Sequence, residues 1–335
     1  MNSEQYQKLR YEQLPWIEKY RPKKVDDLVL DKSLKSRIVQ FSKDNSLPNL
    51  IFTGPPGIGK TSTVRCLAKT LYGEYTRDGV LEINASDGGI KSMQKDLVGF
   101  CKTKILYKKD DKDKHPPFKL VILDEADNMD DDRVQPQINS IMESYKDEVR
   151  FAFTCNTSSN IIESIQSRCL ILMFTRLTPI LTSKRLTDIA NMEGLKYDVK
   201  ALNQISELAH GDMRSAVNML QLVFNKHGSI KLDFISELCD LPQQVIIRKM
   251  FDSVIKNDLH TAFKIMFELK NNGYSGSDIA LGMIYAIKSD VCKDIEEGLK
   301  IKLMGCITNA SYRISKGTDS MLQLFSCLTD MVKVE

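Results

Sequence analysis

The stretch Gly54-Pro-Pro-Gly-Ile-Gly-Lys60-Thr61 has the spacing G-x-x-x-x-G-K-[ST], and it decides how the rest of the chain is interpreted. The apolar run Leu50 to Thr53 precedes it, and Ser62 to Leu71 follows with apolar residues at helical spacing. A glycine-rich loop between a strand and a helix can point successive backbone N–H groups at one anion. The sequence therefore predicts a loop that binds the phosphates of a nucleoside triphosphate.

Two side chains at the end of this loop predict further contacts with ATP and its metal. Lys60 would place a positive charge beside the terminal phosphates, and the Thr61 hydroxyl would ligate Mg²⁺. The predicted nucleotide contacts of the loop are Gly54, Pro55, Pro56, Gly57, Ile58, Gly59, Lys60, Thr61 and Ser62.

The length and composition of the chain indicate a soluble protein with more than one domain. Its 335 residues exceed one ordinary compact domain, and 42% of them are apolar, so two or three domains with full cores are expected. No apolar run reaches the length of a membrane span and the N-terminus is polar, so we expect an intracellular protein with no membrane partner. The eight cysteines form no C-x-x-C pair and are expected to be buried free thiols.

Short apolar runs alternate with helical stretches in the first half of the chain and predict an α/β fold. Such alternation is typical of a parallel sheet covered by helices on both faces. The five predicted strands are Leu50 to Thr53, Val80 to Asn84, Lys119 to Asp124, Val149 to Asn156 and Cys169 to Phe174. Only helical patterns follow residue 178, over about 180–193, 198–210, 212–226 and 231–240, and then in about five more helices. The predicted domains are residues 1–175, 176–240 and 241–335.

The third predicted strand ends in two carboxylates, Asp124 and Glu125. Because alternate residues of a strand point to opposite faces, the two acids can have different roles. Asp124 would hold Mg²⁺, and Glu125 would orient the water that attacks the terminal phosphate. The letters Asp-Glu-Ala-Asp also occur in a class of helicases. That class needs a second nucleotide-facing α/β domain, whereas this sequence is helical after residue 178.

Three polar residues outside these motifs are candidates for the same chemistry. Asn156 ends a predicted strand, where ligands bind in parallel sheets, so it either contacts the γ-phosphate or attacking water or merely starts a turn. Arg168 precedes a strand and would lie at the opposite edge, from which it could reach only a neighbour's nucleotide. Arg214 stands in the first turn of a helix capped by Asp212, where a positive charge gains nothing from the helix dipole, so a phosphate-sensing role is favoured.

Taken together, the motifs resemble those of the small subunits of replication factor C, the AAA+ sliding-clamp loader, over almost the whole chain. The resemblance rests on Pro15-Trp-Ile-Glu-Lys-Tyr-Arg-Pro22, the phosphate loop, Asn84-Ala-Ser-Asp87, Asp124 to Asp127, Ile165-Gln-Ser-Arg-Cys169 and Gly211-Asp-Met-Arg214. It implies a P-loop AAA+ domain with a five-stranded parallel sheet, a helical lid domain and a C-terminal helical collar. It also implies an ATPase in a five-membered ring with other loader subunits, which acts on a sliding clamp and on primer-template DNA.

The resemblance assigns further residue roles. Ile17, Arg21 and Val29 would flank the adenine, Asn156 would be the first sensor, and Arg214 the second. Arg168 would be an arginine finger supplied in trans to the next subunit. Localisation would be the nucleus in a eukaryote, and otherwise the cytoplasm or a viral replication compartment.

Lysines at helical spacing predict a DNA contact. Lys91, Lys95 and Lys102 fall on a narrow arc, and the family contacts the DNA backbone with such helices, so these contacts would be electrostatic. A solvated lysine face is the alternative, since the net charge of the chain is only +3.

Departures from the family pattern keep a second function open. The family's Asp-Arg-Gly-Ile is Asp87-Gly-Gly-Ile90 here, and its Leu-Arg-Arg-Thr-Met-Glu is Ile138-Asn-Ser-Ile-Met-Glu143. In the family, the arginines that are missing here would face DNA or the neighbouring subunit. An ATP-binding structural subunit with little hydrolysis of its own is therefore the alternative to an active ATPase. An AAA+ unfoldase would need an aromatic pore loop, and no convincing one is found.

Overall fold

A computed structural model describes residues 14–43, 46–86, 90–105, 107–108, 115–129, 133–236, 244–318 and 320–333. Of residues 43, 90–94, 233, 236 and 290 it describes the backbone only. The chain forms two compact units, Met1–Leu232 and Asp233–Glu335. The three-domain division made from the sequence remains a prediction.

A five-stranded parallel sheet forms the centre of the first unit. Its strands are β1 (Leu50–Thr53), β2 (Val80–Asn84), β3 (Lys119–Asp124), β4 (Val149–Cys155) and β5 (Leu170–Met173). They lie in the order β2-β3-β4-β1-β5, and every neighbouring pair is parallel. All four residues of β1 are buried, as expected of a central strand with both faces covered. The predicted parallel sheet is confirmed.

Helices pack on both faces of this sheet. Those of the nucleotide-binding half are α1 (Trp16–Lys19), α2 (Lys32–Lys43), α3 (Lys60–Tyr72), α4 (Thr76–Gly79), α5 (Ile90–Lys102), α6 (Val134–Ser144) and α7 (Glu163–Gln166). Because strand residues alternate between faces, Leu50 and Phe52 belong to one apolar cluster with α3, whereas Ile51 belongs to another with α6. The carboxyl ends of the strands are thereby held at one edge.

Three capped helices complete the first unit. They are α8 (Pro179–Met192), α9 (Val199–Leu208) and α10 (Met213–His227). The side chains of Thr178, Asp198 and Asp212 each accept hydrogen bonds from backbone N–H groups in the first turn that follows. Such caps satisfy donors that have no partner within the helix, which explains where these helices begin.

Within the described residues the second unit is helical, as predicted. It contains α12 (Gln244–Ile255), α13 (Leu259–Asn271), α14 (Gly276–Lys288), α15 (Glu297–Ser315) and α16 (Ser320–Val332). These five helices surround one apolar core, in which Phe251, Met266 and Ile307 are fully buried. A short helix, α11 (Leu232–Ser236), precedes them.

Several element ends differ from the sequence-based prediction. Strand β4 ends at Cys155 rather than Asn156, and β5 covers Leu170–Met173 rather than residues 169–174, because pairing with the short strand β1 fixes its length. The helix predicted over 231–240 is seen as Leu232–Ser236, and residues 237–240 lie outside the described part of the chain.

Lys119, the first residue of β3, is an interior residue. Its side-chain amine donates to the Phe100 carbonyl at 2.7 Å and to the Thr103 hydroxyl, and only 4% of the residue is exposed. Burial lowers the pKa of the Lys119 ammonium.

Two further expectations, on membrane-spanning helices and on cysteines, can be compared with the described residues. No helix among them is long and apolar enough to cross a membrane, and their seven cysteines are free.

Candidate nucleotide-binding site

The glycines of the loop between β1 and α3 have backbone conformations that other residues rarely adopt. The φ angles of Gly54, Gly57 and Gly59 are 144°, 72° and 92°. A Cβ atom on Gly54 would lie 2.3 Å from the Phe174 carbonyl oxygen, so the loop passes too close to the backbone after β5 for any side chain. These features agree with a loop that turns its amides toward one anion.

Lys60 is buried at the start of α3, inside this loop. Its Nζ donates to the carbonyl oxygens of Gly54 at 2.6 Å and Pro55 at 2.7 Å, and to Asn156 Oδ1 at 3.1 Å. Burial lowers the pKa of the Lys60 ammonium, although the carboxylates of Asp127 and Asp124 act in the opposite direction. The amine is therefore placed where negative charge in the cavity would stabilise its protonated form.

Thr61 and Asp124 meet across the end of the sheet. Thr61 Oγ1 donates to Asp124 Oδ1 at 2.9 Å, and the Thr154 hydroxyl donates to the same oxygen. Hydroxyl and carboxylate oxygens are ligands that Mg²⁺ accepts. The residues predicted to hold the metal are thus together, and their chemistry fits it.

Glu125 and Asp124 have different hydrogen-bond partners, and the backbone between them differs from the sequence-based expectation. Strand β3 ends at Asp124, and Glu125 has a left-handed backbone with φ of 54°, so the turn rather than the strand pleat separates the two acids. Glu125 Oε2 accepts from Ser86 Oγ at 3.2 Å and Asn128 Nδ2 at 3.4 Å. The carboxylate is exposed and lies at the cavity wall.

Asp127 connects the acidic turn to the end of β4. Its Oδ2 accepts from the backbone N–H of Asn156 at 3.1 Å. Its Oδ1 is buried and has no hydrogen-bond partner among the described residues. An unpaired carboxylate oxygen in the cavity wall is costly unless a bound group or water donates to it, which fits a polar ligand. Asn156 is held at the cavity by Lys60 on one side and Asp127 on the other.

Helix α10 brings Arg214 to the same cavity, and together with α8 and α9 it lies in the predicted lid, so these three are called the lid helices below. Asp212 Oδ1 accepts from the backbone N–H groups of Arg214 at 2.8 Å and Ser215 at 3.1 Å. The backbone N–H of Met213 donates to the Gly57 carbonyl at 3.1 Å, so the first turn of α10 contacts the phosphate loop directly. Arg214 lines the cavity, as the sequence predicted.

Residues of the segment from Pro15 to Pro22 form another part of the cavity wall. Ile17 and Arg21 line the cavity together with Val29. Arg21 Nε donates to Ser62 Oγ at 3.3 Å, which ties this wall to the first turn of α3. All three predicted base contacts therefore line the same cavity as the phosphate loop.

One cavity of about 280 Å³ connects these groups. The predicted residues that line it are Ile17, Arg21, Val29, Pro56, Gly57, Ile58, Gly59, Lys60, Thr61, Ser62, Asp124, Glu125, Asn156 and Arg214. Sequence reasoning missed Trp16, Tyr20, Thr154 and Arg185, which also line it. A polar threonine in the otherwise apolar strand β4 was a signal for Thr154, whereas Arg185 lies on a helix with no motif around it.

Arg168 lies at the opposite edge of the sheet. It precedes β5, whose first residue pairs with Leu50 at the start of β1, and its carbonyl accepts from Asn49 Nδ2 at 3.5 Å. Its guanidinium is partly exposed and lies 3.3 Å from Glu143. The position agrees with the prediction that Arg168 is away from the cavity of its own chain.

The described lysines of α5 are on its solvent side. Lys95 and Lys102 are exposed, while Leu97 and Cys101 of the same helix are buried against the sheet. The side chain of Lys91 and residues 87–89 lie outside the described part of the structure.

Comparison with known proteins agrees with this arrangement. Residues 50–177 match the ATPase family associated with various cellular activities (AAA), and residues 242–330 match the replication factor C C-terminal domain. The chain is 38% identical to replication factor C subunit 4 of Saccharomyces cerevisiae, over 96% of this chain and 97% of the yeast protein. It is 35% identical to replication factor C small subunit 1 of Pyrobaculum aerophilum, over 95% of this chain and 94% of that protein.

A solved structure shows the same fold at much lower identity. The Holliday junction branch migration motor RuvB of Thermotoga maritima matches with a TM-score of 0.54 and 15% identity, over 78% of this chain and 88% of RuvB. The fold is thus that of an AAA nucleotide-binding protein. With identity above one third to subunits from a eukaryote and an archaeon over nearly their full lengths, this chain belongs to the replication factor C small-subunit family.

Proposed function

We propose that this chain is an ATP-binding and ATP-hydrolysing subunit of a sliding-clamp loader, which opens the clamp and loads it onto primer-template DNA during replication. The observation that carries the proposal is the set of groups around one cavity, with Lys60 and Thr61 facing Asp124, Glu125 and Arg214. Hydrolysis of a phosphoanhydride needs positive charge at the phosphates, a metal and an oriented water, and this set supplies a group for each.

Each residue has a distinct role in this proposal. The loop amides and Lys60 bind the phosphates, and Thr61 and Asp124 hold Mg²⁺, which when bound neutralises charge on the phosphate oxygens. Glu125 orients the attacking water and accepts its proton, because its exposed carboxylate lies at the cavity wall.

The role of Arg168 requires a ring. From the far edge of the sheet it would extend into the cavity of the next subunit, where a positive charge stabilises the transition state. We place the chain in a five-membered ring with other loader subunits, working in the nucleus if its source is eukaryotic. Lys91, Lys95 and Lys102 would contact the phosphate backbone of DNA enclosed by the ring.

The alternative is a subunit that binds ATP but hydrolyses little of it. It is favoured by Gly88, Asn139 and Ser140, which replace basic residues of the family pattern. The intact pair of Lys60 and Glu125 favours active hydrolysis instead.

The proposed function is tested with the complete complex, the clamp and primed DNA. Replacing Glu125 with Gln in this chain alone is expected to lower the DNA-stimulated steady-state ATPase and to delay release of the loaded clamp. ATP binding should persist, since Lys60 and Thr61 are unchanged. If turnover and clamp release match those of the wild type, the chain is the structural subunit and not an active ATPase.

A further inference from the structure

A partly buried ion pair joins the N-terminal segment to the lid helices. Lys19 Nζ lies 2.6 Å from Glu193 Oε1, and the two side chains are only 15% and 19% exposed. Lys19 ends α1, and Glu193 follows directly after α8. The two residues are 174 positions apart in sequence, so the pair is a tertiary contact.

Other contacts join the same two parts. The backbone N–H of Trp16 donates to Gln221 Oε1 at 3.0 Å, and the Trp16 ring is 5.6 Å from that of Phe224 on α10. Arg185 on α8 donates to the Tyr20 carbonyl at 2.9 Å. The segment therefore contacts both α8 and α10. Among these contacts, the Lys19–Glu193 pair is the one in which both side chains are charged.

The residues beside Lys19 line the cavity, while Lys19 and Glu193 do not. Ile17, Tyr20 and Arg21 line the same cavity as Lys60 and Thr61. Because Lys60 and the loop glycines are the proposed phosphate contacts, Ile17 and Arg21 of the segment are the proposed contacts of the nucleoside. A change at the pair therefore affects a bound nucleotide indirectly, and the segment that Lys19 belongs to is the nearest part of the cavity wall that it would move.

We propose that the Lys19–Glu193 ion pair positions the nucleoside-binding segment against the lid, so that affinity for the nucleoside part of ATP depends on the pair. The inference rests on the proposed function of the cavity as an ATP site. Lys19 and Glu193 are positioning residues. Removing one partner leaves the other charge partly buried and unpaired, and this favours displacement of the segment into water.

The test compares ATP with inorganic tripolyphosphate, which carries the phosphates without a nucleoside. The full chain is titrated with each ligand by calorimetry as wild type, Lys19→Met, Glu193→Gln and the double variant. We expect the Kd for ATP to rise about tenfold in each single variant and no further in the double variant, since contacting groups are non-additive. The Kd for tripolyphosphate should stay unchanged.

A charge-reversed variant and a distant ion pair serve as controls. Lys19→Glu combined with Glu193→Lys should restore the ATP affinity to within about threefold, because the attraction is re-formed in the opposite sense. Arg248→Gln, which breaks a 2.8 Å pair with Asp252 in the second unit, should leave both ligands bound as in the wild type.

Two results would overturn the inference. One is an ATP affinity within about twofold of the wild type in all three Lys19 and Glu193 variants. The other is an equal loss of ATP and tripolyphosphate binding, which would indicate general damage to the site. A wild-type chain that binds neither ligand would instead contradict the proposed ATP site itself, and the inference with it.

Discussion

The backbone N–H of Met213 donates to the carbonyl oxygen of Gly57 at 3.1 Å, so the first turn of the lid helix α10 is hydrogen-bonded to the phosphate loop. The approach is so close that a Cβ atom on Gly57 would lie 1.8 Å from Asp212 Oδ1. Glycine at this position therefore serves the contact with the lid as well as the positive φ of the loop. The position of Arg214 in the cavity depends on this junction.

Asp212→Ala is predicted to impair both folding stability and nucleotide binding. Loss of the cap should lower the free energy of unfolding by about 1 kcal/mol, and it should also free the first turn that carries Arg214. Asp198→Ala is the matched control, because Asp198 caps α9 in the same way at 3.0 Å from the Lys200 N–H. Denaturant unfolding should show similar losses for both variants, while only Asp212→Ala weakens ATP binding. If Asp212→Ala and Asp198→Ala bind ATP with equal affinity, the contact between the first turn of α10 and the phosphate loop does not support nucleotide binding.

Lys60→Ala is predicted to raise the Kd for ATP by at least about tenfold, because charge-assisted hydrogen bonds to the phosphates are lost. Lys69→Ala is the control, since Lys69 is an exposed lysine of the same helix α3. Equilibrium binding of ATP to the two variants measures the difference. Undiminished binding by Lys60→Ala would show that the loop does not hold the phosphates.

Tyr20 is predicted to make stability fall at alkaline pH. Burial, helped by a hydrogen bond with Glu193, raises the pKa of Tyr20 to about 12. An unfolded tyrosine ionises near pH 10, so between about pH 10 and 12 the folded chain binds the extra proton and loses stability as pH rises. The free energy of unfolding should decline less steeply above pH 10 in Tyr20→Phe than in the wild type.

The difference in absorbance between the wild type and Tyr20→Phe reports the same ionisation directly. It should show a titration near pH 12, and Glu193→Gln should move that titration lower, because one cause of the raised pKa is gone. A midpoint at the ordinary tyrosine value in both backgrounds would contradict the buried contact between the segment and the lid.

Arg168→Ala is predicted to impair hydrolysis in the neighbouring subunit and not in its own. An arginine supplied in trans is worth about 10³-fold or more in related phosphoryl transfer, so the loss should be large. Complexes in which only one subunit retains an intact phosphate loop identify which site is affected. Lys146→Ala, an exposed residue beside β4, is the control. Hydrolysis by the neighbour at the wild-type rate would exclude the trans role.

The parts of the fold that depend on local pattern were predictable from sequence. Strands β1, β2 and β3 begin and end where expected, because apolar runs bounded by polar or glycine residues have few alternative registers. The cap at Asp212 was also predictable, since an aspartate before an apolar-periodic stretch satisfies the first N–H groups of a helix.

Contacts between distant parts of the chain were not predictable in this way. Nothing near Lys19 in the sequence indicates Glu193, and the lid residue Arg185 gave no signal of its place at the cavity. The sequence placed Lys119 at the start of a strand but did not show that its amine donates to the Phe100 carbonyl of α5, because that partner is distant in sequence. The left-handed turn at Glu125 likewise required the structure.

Single-turnover hydrolysis at this chain's own site tests the central claim most directly. In a complex whose other phosphate loops are inactivated, the wild-type chain is expected to convert bound ATP to ADP when clamp and primed DNA are added. Glu125→Gln in the same complex should bind ATP equally well and convert it at least about 100-fold more slowly, since the residue acts as general base. Equal and negligible conversion by both chains would contradict the account, and would indicate that ATP has only a structural role at this site.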